Sequence, residues 1–376
     1  MPCAASGGKV ASIRLLFALS GFHRVDRGAE TALLSVAQEL ARTGASVTVA
    51  GGGRPRPGTA YDFVHIPVIA RERFERLPAI PCFRNETQWE DAIFAARLGR
   101  ATDIASFDAT LTCAYPYTNW ALRHGGRKSA TANIFVTQNG DWPAFARTAE
   151  YRFFACDGLV CTNPAYLERN ASRWNCALIP NGIDLDHFSP GPEARAALGL
   201  PQDRPIVLMV SAFIDTKRVL DGIKAVAELP DAALVVAGDG PLRQEADLLA
   251  ARLLPGRYYR LTVSTDRMPD LYRSADAFLH LSKWESFGNV YLEAAACGLP
   301  VVAHLSDLTR WILGDAPYLC DTEDAGQLVN QLRRAMAAGG EPTTELHRFR
   351  WAAVAQQYAG FLDRTVTARR QRFRNA

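Results

Sequence analysis

Short apolar runs recur along the chain and alternate with segments whose apolar residues repeat at helical spacing. The helical pattern is clearest over residues 29–43, which Gly44 ends. Strands that alternate with helices predict parallel sheets with helices on both faces, the doubly wound α/β class. The predicted strands lie at residues 13–19, 47–50, 109–113, 133–137, 158–161, 177–179, 206–210, 233–237, 277–281, 301–303 and 318–320.

The chain of 376 residues is too long for a single hydrophobic core, so we expect two domains. A stretch rich in proline and glycine before Ile206 has the composition of a linker. We therefore predict a Rossmann-like domain over residues 1–190, a linker over 191–205, a second Rossmann-like domain over 206–355 and a C-terminal helix over 356–376.

The composition is that of a globular protein, with 48% apolar and 22% charged residues and a formal net charge of +3. This charge gives no reason to expect binding to nucleic acid. The eight cysteines are scattered without a Cys-x-x-Cys pair, which is typical of free thiols in a reducing compartment, so we expect a cytoplasmic protein. The apolar residues 15–19 faintly resemble part of a signal peptide, but they are better explained as the first strand.

The chemistry centres on residues 284–294, Trp-Glu-Ser-Phe-Gly-Asn-Val-Tyr-Leu-Glu-Ala, which follow a predicted strand and lead into a helix. The first backbone N–H groups of a helix have no partner within it, and together with the helix dipole they favour a phosphate. Gly288 would let such a ligand approach the backbone closely. Glu285 in the loop and Glu293 in the helix would flank this anion site, an arrangement suited to a phosphorylated, hydroxyl-rich ligand such as a nucleotide sugar.

The same stretch resembles a family motif. The spacing Glu-x7-Glu, with Phe-Gly after the first glutamate and Ala-x-x-x-Gly-x-Pro-Val-Val beginning directly after the second, resembles the retaining glycosyltransferases of family 4. Three further segments are similar to motifs of that family, namely residues 28–30 (Gly-Ala-Glu), 180–184 (Pro-Asn-Gly-Ile-Asp) and 238–241 (Gly-Asp-Gly-Pro). The resemblance implies the GT-B fold, in which two Rossmann-like domains face a cleft and a C-terminal helix crosses back to the first domain.

The resemblance also implies roles for individual residues. Glu293 would accept hydrogen bonds from the ribose hydroxyls of the donor, and Glu285 would hold hydroxyls of the transferred sugar. Lys217 would supply positive charge to the pyrophosphate. The remaining donor-binding candidates are glycines and backbone donors in the matching loops, together with one arginine: Gly28, Gly238, Phe287, Gly288, Asn289 and Arg218.

Three positions depart from the family pattern. Arg27 stands in place of one glycine of the motif at residues 28–30, which leaves Gly28 as the expected contact there. The arginine that usually precedes the phosphate lysine is replaced by Ala212, and we expect Arg218 to compensate. The histidine found in many members after a strand of the first domain is replaced by Gln138, which cannot carry a proton at neutral pH. Asn139 and Asp141 then become the local polar candidates, because ligands gather at the carboxyl ends of parallel strands. The catalytic candidates are thus Glu285, Lys217, Asn139 and Asp141.

We expect transfer of a sugar from a nucleotide-sugar donor to a glycan, lipid or small-molecule acceptor with retention of anomeric configuration. No cofactor is expected and no metal, since the only Asp-x-Asp pair, Asp184 and Asp186, follows an Asn-Gly turn. The alternatives are a non-catalytic or degenerate nucleotide-sugar-binding protein, motivated by Ala212 and Gln138, and an epimerase or phosphorylase on the same fold. The oligomeric state stays open. The pattern over residues 63–100 is less clear, and its arginines between residues 71 and 84 favour a solvated, irregular helix, with an acceptor-facing segment or a membrane-surface patch as the alternatives. The basic C-terminus fits a solvated end, with contact to anionic lipid as the alternative.

Overall fold

A computed structural model describes residues 13–339 and 344–376; Cys3 lies outside them. Its contacts divide the chain into two compact units. The first contains the described residues up to Gly182 together with Trp351–Ala376, and the second contains the described residues of Ile183–Arg350. The segment expected to be a linker, residues 191–205, therefore belongs to the second unit. Arg195 holds it there, because its guanidinium donates to the Asp276 carboxylate at 2.8 Å.

Each unit has one sheet, and all strand pairings within the two sheets are parallel. The strand order is β3-β2-β1-β4-β5-β6-β7 in the first unit and β10-β9-β8-β11-β12-β13 in the second. This confirms the doubly wound α/β class. The strands are β1 (Arg14–Leu19), β2 (Ser46–Gly51), β3 (Asp62–His65), β4 (Ala109–Thr112), β5 (Ala132–Val136), β6 (Gly158–Cys161), β7 (Cys176–Leu178), β8 (Ile206–Val210), β9 (Ala233–Ala237), β10 (Tyr258–Leu261), β11 (Ala277–His280), β12 (Val301–His304) and β13 (Leu319–Cys320).

Helices connect most successive strands, except β2 to β3 and β7 to β8, and short 3-10 turns extend several loops. The helices are α1 (Gly28–Arg42), α2 (Glu86–Ala101), α3 (Tyr117–Gly125), α4 (Trp142–Phe145), α5 (Pro164–Asn170), α6 (Val219–Ala227), α7 (Arg243–Leu253), α8 (Met268–Arg273), α9 (Asn289–Ala296), α10 (Asp307–Leu313), α11 (Ala325–Ala338) and α12 (Trp351–Arg374). None of the helices in residues 13–339 and 344–376 is both long enough and apolar enough to be a membrane span.

The largest core of the first unit lies between its sheet and two helices distant in sequence. The apolar face of α1 contributes Leu33 and Val36, and α12 contributes Tyr358 and Phe361 to the same cluster. All four side chains are almost fully buried. The last helix of the chain is therefore part of the first unit's core.

The segment between β3 and α3 differs from the sequence expectation of an irregular, solvated helix. Its helix α2 is regular and buries Phe94 and Leu98 against the first sheet. The expectation was wrong because α2 also buries Glu90 and Asp91, which obscures the apolar stripe. Asp91 accepts hydrogen bonds from the backbone N–H groups of Tyr117 and Thr118 at the start of α3, and its burial raises the pKa of its carboxyl group to about 6.

Candidate functional site

The carboxyl ends of β8, β9 and β11 meet at one edge of the second sheet, where ligands of such sheets bind. The loop after β9 lies directly on the loop after β8. A Cβ atom at Gly238 would collide with the carbonyl oxygen of Ser211, and one at Gly240 would lie 2.7 Å from that of Phe213. The Gly-Asp-Gly-Pro motif thus has a packing role, and a contact between Gly238 and a donor stays a prediction.

The loop after β11 ends at the first residue of α9, which is preceded by Gly288. Gly288 has φ +85°, a left-handed conformation that favours glycine, and a Cβ atom there would lie 2.6 Å from the Tyr291 ring. Phe287 anchors the loop, since its side chain is buried edge-on to Trp311 and Phe349. Only the backbone of Phe287 therefore remains a candidate donor to a ligand. Asn289 is the first residue of α9.

Glu285 lies in the same loop and accepts two hydrogen bonds on one oxygen. Its Oε1 accepts from the ammonium group of Lys217 and, at 2.8 Å, from Nε2 of His280. Burial acts to raise the pKa of Glu285, but His280 and Lys217 together outweigh it and hold the pKa at about 2. The carboxylate is therefore ionised throughout the physiological range and joins the loops after β8 and β11.

His280 was not among the residues expected from the sequence. It is buried at the end of β11, with its ring edge-on to Tyr291. Because the ionised Glu285 can only accept, Nε2 of His280 must carry the proton. Its Nδ1 is buried and has no hydrogen-bond partner within the described parts of the chain. The feature of the sequence that could have pointed to His280 was a histidine inside an apolar strand.

Glu293, one turn into α9, is partly buried. The hydroxyl group of Tyr272 donates to its Oε2 at 2.7 Å, which fixes the orientation of the carboxylate. Burial raises the pKa of Glu293 above its ordinary value, in contrast to Glu285. The two glutamates thus lie on either side of the start of α9, which is the placement that the Glu-x7-Glu spacing predicted. Their electrostatic environments differ.

Lys217 and Arg218 have different surroundings despite being adjacent. Lys217 ends a 3-10 turn, Asp215–Lys217, and reaches Glu285. The guanidinium of Arg218 instead donates to the carboxylate of Asp221 at 2.9 Å and to the hydroxyl and carbonyl oxygens of Thr322 at 2.9 and 3.0 Å. These contacts give Arg218 a structural role, and the expectation that it replaces the missing arginine stays a prediction.

In the first unit, the loop after β5 presents two of the predicted candidates in different ways. Asn139 is exposed. Asp141 is buried, accepts two hydrogen bonds from Arg169 at 2.9 Å each, and accepts a third from Asn170 at 2.7 Å. A carboxylate held by three donors is poorly placed to act as a nucleophile, which disfavours the catalytic role expected for Asp141. That role stays a prediction.

Gln138, which stands where many family members carry histidine, forms a reciprocal amide pair. Its Nε2 donates to Oδ1 of Asn181 at 2.5 Å, and Nδ2 of Asn181 donates to its Oε1 at 3.1 Å. Gln138 thereby ties the end of β5 to the Pro-Asn-Gly turn after β7. The predicted contact Gly28 begins α1, whose preceding residue Arg27 provides no side-chain cap.

The described residues contain no group of three or more His, Cys, Asp or Glu side chains able to hold a metal ion. Oδ1 of Asp184 accepts from the backbone N–H groups of Asp186 and His187, and Asp186 pairs with Arg350 at 3.2 Å. The Asp-x-Asp pair is thus part of a turn.

Two parallel Rossmann-like sheets, with a glycine-opened helix start between two glutamates at the edge of the second sheet, define a protein of the GT-B class. The chain belongs to Glycosyltransferase Family 4. A model of that name matches residues 27–187, and the model for glycosyl transferases group 1 matches residues 191–352.

Curated relatives agree with this assignment. The lipopolysaccharide core biosynthesis glycosyltransferase LpsE of Rhizobium meliloti is 30% identical over 242 residues, which cover 60% of this chain and 69% of that protein. A GDP-mannose-dependent alpha-(1-6)-phosphatidylinositol monomannoside mannosyltransferase of Mycolicibacterium smegmatis is 32% identical over 187 residues, 43% of this chain. The chain spans 49% of that mannosyltransferase and 33% of a D-inositol 3-phosphate glycosyltransferase from the same organism.

Solved structures share the fold. Sucrose-phosphate synthase from Thermosynechococcus elongatus superposes with a TM-score of 0.74 at 21% identity, covering 95% of this chain and 99% of that one. Anabaena HepE, solved in complex with UDP-glucose, superposes with a TM-score of 0.66 at 16% identity, covering 96% and 98%.

Proposed function

We propose that this protein is a retaining glycosyltransferase that moves a hexosyl group from a nucleotide-sugar donor to a glycan, lipid or small-molecule acceptor. The observation that carries the proposal is the carboxylate of Glu285, held by Lys217 and His280 beside the Gly288-opened start of α9. A fixed negative group, a cation and the start of a helix thus lie together at the edge of the second sheet.

The donor would lie along this edge. The N–H groups at the start of α9 would bind the pyrophosphate with the help of the helix dipole. Lys217 would add a charge-assisted hydrogen bond while remaining close to Glu285. Glu293, oriented by Tyr272, would accept from the ribose hydroxyls, and Glu285 would accept from hydroxyls of the transferred sugar.

Catalysis would depend on stabilising the departing nucleoside diphosphate. Negative charge develops on that group as the glycosidic bond breaks, and preorganised donors aimed at it lower the barrier. Lys217 and the α9 N–H groups are such donors. Because Asp141 is committed to Arg169 and Asn170, we propose that retention does not involve a covalent intermediate on Asp141.

We also propose that transfer is independent of divalent metal, since Lys217 and the helix start would supply the positive charge that a metal supplies elsewhere. The base of the donor, uracil or guanine, and the identity of its sugar stay open. The mycobacterial relative is named for GDP-mannose and the Anabaena structure contains UDP-glucose, so both classes are the first to test.

The test is a thermal-shift screen with UDP, GDP, UDP-glucose and GDP-mannose, followed by NMR of the product's anomeric configuration. A ligand at about 100 times its dissociation constant adds about 2.7 kcal/mol to the free energy of unfolding, which raises the melting temperature measurably. Absence of a shift with all nucleotides would contradict the proposal. Binding without turnover against a glycan, lipid and small-molecule acceptor panel would favour the binding-only alternative, and an inverted product would refute retention.

A further inference from the structure

The first unit contains a cavity of about 790 Å³ that the proposed reaction does not use. It lies at the amino edge of the first sheet, since Asn133 is the second residue of β5 and Asp157 directly precedes β6. The predicted candidates Asn139 and Asp141 follow the opposite end of β5. At about 3.3 Å per residue, the length of these strands separates the cavity from that edge by roughly 13–17 Å.

The walls of the cavity are strongly basic. Arg123 and His124 come from the last turn of α3, Arg127 from the loop that follows, and Arg369 from α12. Among the described residues that line the wall, only Asp157 has an acidic side chain. Two elements far apart in sequence thus bring three guanidinium groups to one cavity.

Asp157 offsets only part of this charge, because its single carboxylate is shared between Arg369 and Arg372. Its Oδ2 accepts from the backbone N–H of Asn133 at 3.0 Å, and its Oδ1 accepts from Arg372 at 3.1 Å, while Nη1 of Arg369 lies 3.9 Å away. Nε of Arg369 is buried without a hydrogen-bond partner in residues 13–339 and 344–376. Over the same residues, Arg123 and Arg127 form no ion pair. An anion with several acceptor oxygens would satisfy these donors.

The cavity also has an aromatic wall. Trp120 and Phe153 meet edge to face with their ring centroids 6.3 Å apart, and Phe153 is 54% exposed. The guanidinium of Arg123 donates to the carbonyl oxygen of Phe153 at 2.8 Å, which fixes the aromatic and basic walls relative to each other. An exposed phenylalanine beside three arginines suits a ligand that is apolar or planar at one end and anionic at the other.

We propose that this cavity binds a phosphate monoester carried on an apolar or aromatic body, as a ligand separate from the nucleotide-sugar donor. Arg127 and Arg369 bind the phosphate oxygens, because guanidinium groups match phosphate geometry. The body of the ligand lies against Phe153. The ligand is a soluble small molecule, since the site is a cavity of small-molecule size. This inference does not depend on the proposed transferase activity.

Phenyl phosphate is the probe, measured by isothermal titration calorimetry, with phenol as the uncharged comparison. We expect phenyl phosphate to bind the wild-type protein and phenol not to bind measurably. Arg127→Ala and Arg369→Ala should each weaken phenyl phosphate at least 10-fold. Arg127 is exposed, so its substitution should not disturb folding, and melting temperatures would verify this for both variants.

Two control variants locate the binding. Arg364→Ala removes an exposed arginine of α12 that does not line the cavity, and Lys217→Ala alters the candidate donor site; both should bind phenyl phosphate as the wild type does. An unchanged affinity in Arg127→Ala and Arg369→Ala, or a loss in Lys217→Ala, would overturn the assignment, as would absence of binding to the wild type. A separate experiment measures sedimentation of the protein with phosphatidic acid vesicles. If the protein sediments with the vesicles, Arg127→Ala abolishes this, and phenyl phosphate does not bind, then the ligand is a membrane surface and the small-molecule proposal is wrong.

Discussion

Replacing His280 with leucine is expected to reduce turnover without removing donor binding. Holding the pKa of Glu285 at about 2 instead of 4.5 corresponds to about 3 kcal/mol in favour of the ionised carboxylate, shared between Lys217 and His280. A hydrogen bond to a charged group contributes about 1.5–3 kcal/mol. His280→Leu should therefore lower kcat about 10-fold or more, while KM for the donor changes little because the pyrophosphate contacts remain.

The pH dependence separates positioning from packing. In the wild type, Glu285 stays ionised well below pH 4. Without the His280 donor, its pKa moves up toward 4.5, so kcat/KM of His280→Leu should begin to fall below about pH 5 while the wild type is still unaffected by this group. His280→Gln can donate from its amide and should recover much of kcat. His304→Leu, whose ring meets Thr322 rather than Glu285, is the matched control. The reasoning would be refuted if His280→Leu had the kcat of the wild type and if its kcat/KM fell at the same acidic pH as that of the wild type.

Four further outcomes are expected. Glu293→Gln should weaken the bare nucleoside diphosphate and the full donor alike, whereas Glu285→Gln should leave the diphosphate nearly unchanged and cut turnover 10-fold or more; equal damage to diphosphate titrations would contradict this. Lys217→Ala should weaken a diphosphate by about 1.5–3 kcal/mol but not the nucleoside, as calorimetry would reveal. EDTA should leave the transfer rate unchanged. A loss of activity with EDTA that Mn²⁺ restores would disprove metal independence. Gly238→Ala should destabilise the second unit by about 1–3 kcal/mol in denaturant unfolding, because its Cβ meets a backbone carbonyl, whereas Gly99→Ala, in open space, should not.

Eleven of the thirteen strands of the described residues were predicted, because their apolar runs and the glycines that end helices are local signals. The strands β3 and β10 were missed, because they lie at the sheet edges and are mostly half-buried or exposed, so they lack an apolar run. Residues 206–210 and 233–237 were predicted with the bounds that β8 and β9 have. The loop before α9 was also accessible, since Gly288 and the two flanking glutamates lie within a few residues of one another. These features depend on contacts that are close in sequence.

What could not be predicted depends on partners distant in sequence. Lys217 and Glu285 are 68 residues apart and Asp141 and Arg169 are 28 apart, so whether each carboxylate faces a ligand or an arginine is decided only by the fold. Arg218 is the same case, because its partner Thr322 lies 104 residues away. Buried polar groups such as Asp91 also hide the periodicity on which helix prediction depends.

The position of α12 in the first unit's core has a consequence for biosynthesis. A ribosome releases β1 to β7 first, yet the surface that Val354, Tyr358 and Phe361 cover stays open until the whole second unit has been made. The second unit, from Ile183 to Arg350, is continuous in sequence and can complete its folding earlier. A nascent chain stopped at Arg350 would expose that apolar surface. Such a chain would bind chaperones or aggregate. Synthesis of α12 is thus a condition for the first unit to complete its core.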